Sequence, residues 1–166
     1  MVAGITEGHL TLDSGGGHVA LGKIRGATAN IRTGGGSVEA NQIQAMLNLD
    51  SSGGSVTVKR LVGGQLDIHS GGGDMSAEVL YGDNVGIHTD GGAVTVGSLR
   101  AAVKAQISTD GGDFALQGFD GYLDLATRGG DIELQLQEQS KRAAVRTCRI
   151  LIMLRRISQA VSRGFP

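Results

Sequence analysis

The chain has 166 residues, enough for one domain, with 29 glycines, one cysteine and a formal net charge of −1. The glycines follow no triplet period, which excludes a collagen-like fold, and a single cysteine excludes an internal disulfide or a multi-cysteine metal site. No apolar run reaches about 18 residues and no basic start precedes an apolar stretch, so neither a membrane span nor a signal peptide is predicted in this chain.

The first residues fit the middle of a repeat. Val2 and Ile5 stand 19 residues before Leu21 and Ile24, which occupy apolar positions of the next repeat. We therefore expect the N-terminal coil to be incomplete and homologues to extend upstream, where a targeting segment would lie. The compartment of the protein is accordingly left open.

From about His9 to Leu136 the sequence repeats every 18–20 residues. The last glycine of each turn marks the repeat: Gly17, Gly36, Gly54, Gly73, Gly92, Gly112 and Gly130. Apolar residues recur seven and five positions before each marker and two and four positions after it, which is the period of strands with one buried face. A fixed period near twenty residues is typical of solenoids. We therefore predict an all-β, single-chain β-solenoid of about seven coils, with a small bulge where the sixth coil is one residue longer, around Ala101–Lys104.

Each predicted turn begins with a hydroxyl residue, three positions before the marker glycine. The seven are Ser14, Thr33, Ser51, Ser70, Thr89, Thr109 and Thr127. A hydroxyl there is expected to bond the backbone one or two residues ahead and, in stacked coils, to form a ladder. Seven similar turns between strands indicate a structural role, since a phosphate loop needs one special glycine turn that opens a helix.

In a parallel stack, one outward column brings side chains of successive coils together. Four positions before the marker, Asp50, His69 and His88 are neighbours, and two histidines with one carboxylate are a possible metal site. The competing and favoured interpretation is a solvated ladder of mixed polar residues.

The turn edge of coils five to seven carries a second cluster, with Arg128 beside it. Its members are Asp90, Asp110, Asp113 and Asp131. Calcium prefers several such oxygens, so these residues are a candidate calcium site, although an ordinary solvated turn is the favoured interpretation. No catalytic residues and no cofactor are predicted, because the serines and threonines are explained by the turn and no triad is evident.

The composition changes after Glu138, which divides the chain into a repeat domain at 1–138 and a basic tail at 139–166. All 16 acidic residues lie at or before Glu138, whereas residues 141–163 carry seven Lys and Arg and no acid. Ile150, Leu154, Ile157 and Val161 would share one face of a helix, so a short capping helix is the leading interpretation. A tail that is not native to the fold is the alternative, and membrane or nucleic-acid binding through residues 141–163 is less favoured.

Two stretches show the repeat best: Leu47-Asn-Leu-Asp-Ser-Ser-Gly-Gly-Ser-Val-Thr-Val58 and Leu123-Asp-Leu-Ala-Thr-Arg-Gly-Gly-Asp-Ile-Glu-Leu134. Over residues 1 to about 137 the chain resembles the adhesin family of bacterial and eukaryotic proteins, which carry a repetitive domain of unknown function. The resemblance implies a single-chain β-helix or roll and no reaction.

We therefore expect a non-enzymatic, adhesin-like structural or binding module that presents a repetitive surface to a protein or glycan. The alternatives are a carbohydrate-active β-helix enzyme that uses the acidic turn edge, and a scaffold tethered through the basic tail.

Overall fold

The structure, a computed structural model, describes residues 2–6, 8–135 and 142–147. The strands are β1 (Val2–Thr6), β2 (His9–Asp13), β3 (Val19–Arg32), β4 (Val38–Asp50), β5 (Val56–His69), β6 (Met75–Thr89), β7 (Val94–Thr109), β8 (Phe114–Thr127), β9 (Ile132–Leu134) and β10 (Arg142–Thr147). Within these residues every regular element is a strand, and every pairing between strands is parallel.

The strands stack one coil upon the next. The central order is β1-β3-β4-β5-β6-β7-β8-β10, while β2 pairs with β3 and β9 pairs with β8. In register, Ile31 lies opposite Leu49, which in turn lies opposite Ile68. The predicted β-solenoid is therefore confirmed, because residues one repeat apart are neighbours in space.

Each of the strands β3 to β8 covers both arms of a coil and continues through the bend between them, which we call the corner. Ladder registers shift at the corner in most neighbouring pairs, since the coils differ in length there. The shifts on either side of Ala101–Lys104 place the extra residue of the long coil at the predicted bulge.

The core consists of aliphatic columns that both arms contribute. Ile31, Leu49, Ile68 and Ile87 are fully shielded from solvent, and the outward residues between the columns are exposed or half-buried. A flattened coil has a narrow interior, so small and medium aliphatic side chains fill it without aromatic bulk until Phe114 and Phe119 near the C-terminal end.

Six of the seven marker glycines, all except Gly17, are required by close backbone approach. A Cβ on Gly73 would overlap the carbonyl group of Gly54 in the preceding coil, and the same overlap recurs from Gly36 to Gly130. The glycine before each marker from Gly17 to Gly112 has a different reason, since its φ is positive, as in Gly16 and Gly72 with φ of 110° and 105°. The first turn position admits Ser52 at φ 52°, where Asp50 Oδ1 accepts a hydrogen bond from the Ser52 amide at 3.0 Å.

The hydroxyl residues close the turns from inside. Thr33 Oγ1 donates to the carbonyl of Gly36 at 2.5 Å and lies 3.1 Å from the carbonyl of Ser51 in the next coil. The hydroxyl therefore reaches the carbonyl three residues ahead, and the predicted span of one or two residues was wrong, because the glycine turn folds the chain back over the hydroxyl. The predicted ladder is present as hydroxyl-to-carbonyl contacts between coils one to four.

The predicted basic tail contributes a strand. Strand β10 pairs with β8 in the register of an eighth coil, with Val145 opposite Leu125 and Thr147 opposite Thr127. The stacking of arms thus extends past residue 138, where the composition changes. The helix predicted around Ile150–Val161 lies outside the described residues.

Candidate functional site

A concavity with a volume of about 550 Å³ runs along the corner of the solenoid, and we call it the corner groove. It is lined by residues of five successive coils, from Gly26 to Ala102, so its length is about 19 Å at roughly 4.8 Å per strand. The groove therefore lies across the strands, parallel to the axis of the stack.

The floor of the groove is bare because the corner accepts only small residues. A Cβ on Gly26 would come within 2.6 Å of the Gly8 carbonyl oxygen, and one on Gly63 would overlap the carbonyl of Ala45. Successive coils thus approach one another closely at this bend, where the column holds only glycine and alanine. The groove lies on the outside of this closely packed bend.

One wall of the groove is a single column of side chains just before the corner. Gln44, Val62, Tyr81 and Arg100 stand opposite one another in consecutive coils. Arg100 is fixed by Asp120 in the next coil, since its Nε and Nη2 atoms both lie 2.9 Å from Asp120 Oδ2. The wall therefore presents a half-buried aromatic ring between an aliphatic side chain and an oriented guanidinium group.

Exposed apolar side chains concentrate at the same corner. Within the described residues, the large hydrophobic side chains that are exposed are Met46, Val103 and Tyr122, at 48%, 58% and 47%. Each follows a small corner residue by one or two positions, and Met46 lines the groove directly, as does the carboxylate-bearing Asp83. Val103 on β7 and Tyr122 on β8 are on neighbouring strands, whereas Met46 is on β4, so these side chains are spread along the corner.

A smaller concavity of about 300 Å³, which we call the turn-edge cavity, lies beside the glycine turns of coils five to seven. Asp113, Asp131 and Glu133 line it, together with Thr95 and the edge of the otherwise buried Phe114. Two of the four aspartates of the predicted calcium site therefore face a cavity, and the sequence did not single out Glu133.

Two of the aspartates predicted to bind calcium have side-chain partners in the structure. Arg128 Nη1 lies 3.2 Å from Asp110 Oδ2, and Asp113 Oδ1 accepts a hydrogen bond from the Asp131 amide at 2.9 Å. Asp90 is exposed on the coil before Asp110. Among the described residues, no three His, Cys, Asp or Glu side chains are arranged to hold a metal ion. The calcium hypothesis therefore gains no support from this part of the chain.

The outward column of Asp50, His69 and His88 has the predicted register. The imidazole rings of His69 and His88 stack with centroids 5.0 Å apart, and His69 Nε2 lies 3.3 Å from Asp67 Oδ1. Asp50 Oδ1 instead accepts hydrogen bonds from the amide and hydroxyl of Ser52. The three residues are neighbours, but the carboxylate serves the turn and the rings face each other, so this second metal hypothesis also gains no support.

The corner groove was missed by the sequence analysis. The signal in the sequence is that Val62, Tyr81 and Arg100 occupy the same outward position of successive repeats. One position further along, the repeats carry only glycine or alanine. The basic segment 141–163, predicted as a membrane or nucleic-acid contact, lies outside the described residues except for 142–147. Among the described residues, no helix has the length and apolarity needed to cross a membrane.

Comparison with known proteins identifies a family. A family model described as Toastrack DUF4097, a domain of unknown function, matches residues 46–148. No curated protein matches the chain, and no solved structure matches it. The matched residues include the corner groove from Met46 onward and reach the end of β10.

Proposed function

The chain belongs to the Toastrack DUF4097 family, and from this premise we propose that it is a non-enzymatic, adhesin-like module that binds a protein or glycan through its repetitive surface. One observation carries the proposal. Outward residues stand in register from coil to coil, as in the column that runs through Asp50, His69 and His88, so a rigid stack presents aligned side chains to its surroundings.

The placement of the hydroxyl groups also favours binding over catalysis. The hydroxyls of Ser51, Ser70 and Thr89 are buried and donate to carbonyl groups of their own turns. A nucleophile must reach its substrate and be paired with a base, and these hydroxyls are committed to the backbone instead. The turn residues thus act as structural supports for the outer surface.

The experiment compares binding with turnover. The full chain is immobilised and exposed to soluble glycans and purified extracellular-matrix proteins, and the bound partner is eluted and analysed by mass spectrometry. We expect reversible binding and recovery of the partner at its original mass. Failure to bind any of these partners, or a partner recovered in cleaved form, would contradict the proposed function.

The turn-edge cavity supports a second candidate, a carbohydrate-active enzyme. Asp113, Asp131 and Glu133 line one concavity, and glycoside hydrolysis uses a pair of carboxyl groups. Under this alternative, reducing ends accumulate when the chain is incubated with a polysaccharide. The rate at which reducing ends are formed then falls at least about a hundredfold in Asp131→Asn or Glu133→Gln, because acid–base catalysis contributes about that much to the rate.

A further inference from the structure

We propose that the corner groove binds a linear, uncharged glycan chain, with Tyr81 as the surface on which a sugar ring stacks. The inference rests on the proposed function, since it assumes that the protein is a binding module, and it names the site and the chemical class of the partner. Four features of the groove carry it: its direction, its size, its charge and its mixture of side chains.

The direction of the groove disfavours an extended peptide. Peptides that bind to sheets usually add a strand to an open edge and use its free backbone groups. The corner groove instead crosses the strands, which are paired with both neighbours on either side of it from Gln44 to Arg100. A partner in the groove therefore lies across a periodic series of coils and not along one strand.

The size of the groove disfavours a folded protein, including a second copy of this chain. Stable protein interfaces bury about 800 Å² on each partner and use roughly 20–30 residues a side. The corner groove is lined by twelve residues, of which four are glycines. Twelve lining residues offer room for a single polymer chain and fall short of a standard protein interface.

The charge of the groove favours an uncharged polymer. Arg100 is the only cation among its lining residues, and its charge is offset by Asp120 at 2.9 Å. Asp83 is the only lining anion. Nucleic acid and other polyanions require clusters of basic side chains, which this channel lacks.

The side chains suit the two faces of a sugar. A pyranose ring has an apolar C–H face, and the half-buried ring of Tyr81, flanked by Val62, offers a flat apolar surface for it. Hydroxyl groups at the rim need donors and acceptors, which Gln44, Asp83 and the remaining N–H groups of Arg100 supply. The bare glycine floor lets the chain approach the backbone closely.

The two tyrosines provide a matched pair for the test. Both are aromatic and at least partly exposed, but Tyr81 lines the groove and Tyr122 does not. Cellohexaose, chitohexaose and maltohexaose are titrated into the full chain and into Tyr81→Ala, Tyr81→Phe and Tyr122→Ala by isothermal titration calorimetry. Since the chain has no tryptophan and only two tyrosines, Tyr122→Phe also allows binding to be followed through the fluorescence of Tyr81 alone.

We expect at least one hexasaccharide to bind, with the dissociation constant raised about tenfold or more in Tyr81→Ala, as for an aromatic anchor. Tyr81→Phe and Tyr122→Ala should remain within about twofold of the original value, because neither removes the ring from the groove. If Tyr81→Ala does not fold, Gly64→Leu provides a second variant. Gly64 is exposed at the groove without positive φ, and a Cβ there meets nothing closer than 3.6 Å, so we expect leucine to obstruct the groove while the coils remain stacked.

Three results with glycans would overturn the proposal. They are failure of all three hexasaccharides to bind, binding that neither Tyr81→Ala nor Gly64→Leu weakens, and preferential binding of polygalacturonate, which is charged. A protein partner that depends on Tyr81 while no glycan binds would also overturn it and would leave the proposed function intact. Cleavage of a bound hexasaccharide would instead contradict the proposed function and leave the groove as the binding site.

Discussion

The buried turn hydroxyls allow a direct measurement of what the hydroxyl column contributes to stability. Ser51 is fully shielded, and its Oγ donates to the Gly54 carbonyl at 2.5 Å and lies 3.0 Å from the Ser70 carbonyl. The Ser70 carbonyl also accepts the Gly53 amide at 2.6 Å, so Ser51→Ala mainly deprives the Gly54 carbonyl of its donor. Leaving one buried acceptor unsatisfied costs about 1–3 kcal/mol.

Ser14→Ala provides the control, because Ser14 Oγ makes the same bond to Gly17 at 2.7 Å in an exposed setting. Water can replace the lost hydroxyl there, so we expect a loss below about 0.5 kcal/mol. Ser51→Thr keeps the hydroxyl, as other coils do with threonine at this position, and should lie close to the original protein.

The assay is urea unfolding followed by circular dichroism, with the transition slope checked for constancy among the variants. Thermal midpoints should fall by about 2–4 °C for each kcal/mol lost in a chain of this length. Equal losses for Ser14→Ala and Ser51→Ala would refute the reasoning, because burial of the acceptor would then not determine the cost. A loss for Ser51→Thr as large as for Ser51→Ala would equally refute it.

Three further outcomes test the turns. Gly73→Ala should lower the free energy of unfolding by about 3 kcal/mol or more, since its Cβ overlaps the backbone of the preceding coil. Gly17→Ala should lower it much less in the same urea assay, because a Cβ there meets nothing closer than 3.6 Å. Arg128→Ala should change the unfolding free energy by less than about 1 kcal/mol, because its ion pair with Asp110 is exposed, and a larger loss would contradict this. Millimolar CaCl2 should leave the thermal midpoint unchanged, since Asp110 and Asp113 already have partners, whereas a rise would support the predicted calcium site.

The repeat determined the fold because each coil depends mainly on its nearest neighbours. A hydroxyl, paired glycines and alternating aliphatics recur at fixed offsets, and only one stacking keeps every column buried. The same arithmetic predicted that Asp50, His69 and His88 would be adjacent, and the ladder confirms it. The repeat spacing was therefore sufficient to predict which residues of successive coils are neighbours.

The tertiary structure decided what those neighbours do. Whether Asp50 points to a histidine or to its own turn depends on side-chain geometry, and Asp50 bonds the Ser52 amide and hydroxyl. The corner groove lies over a bend where adjacent backbones approach too closely for a Cβ at Gly26 or Gly63, a distance that no residue pattern states. Position along a periodic chain determines contact, whereas the space left between packed backbones is a property of the three-dimensional stack alone.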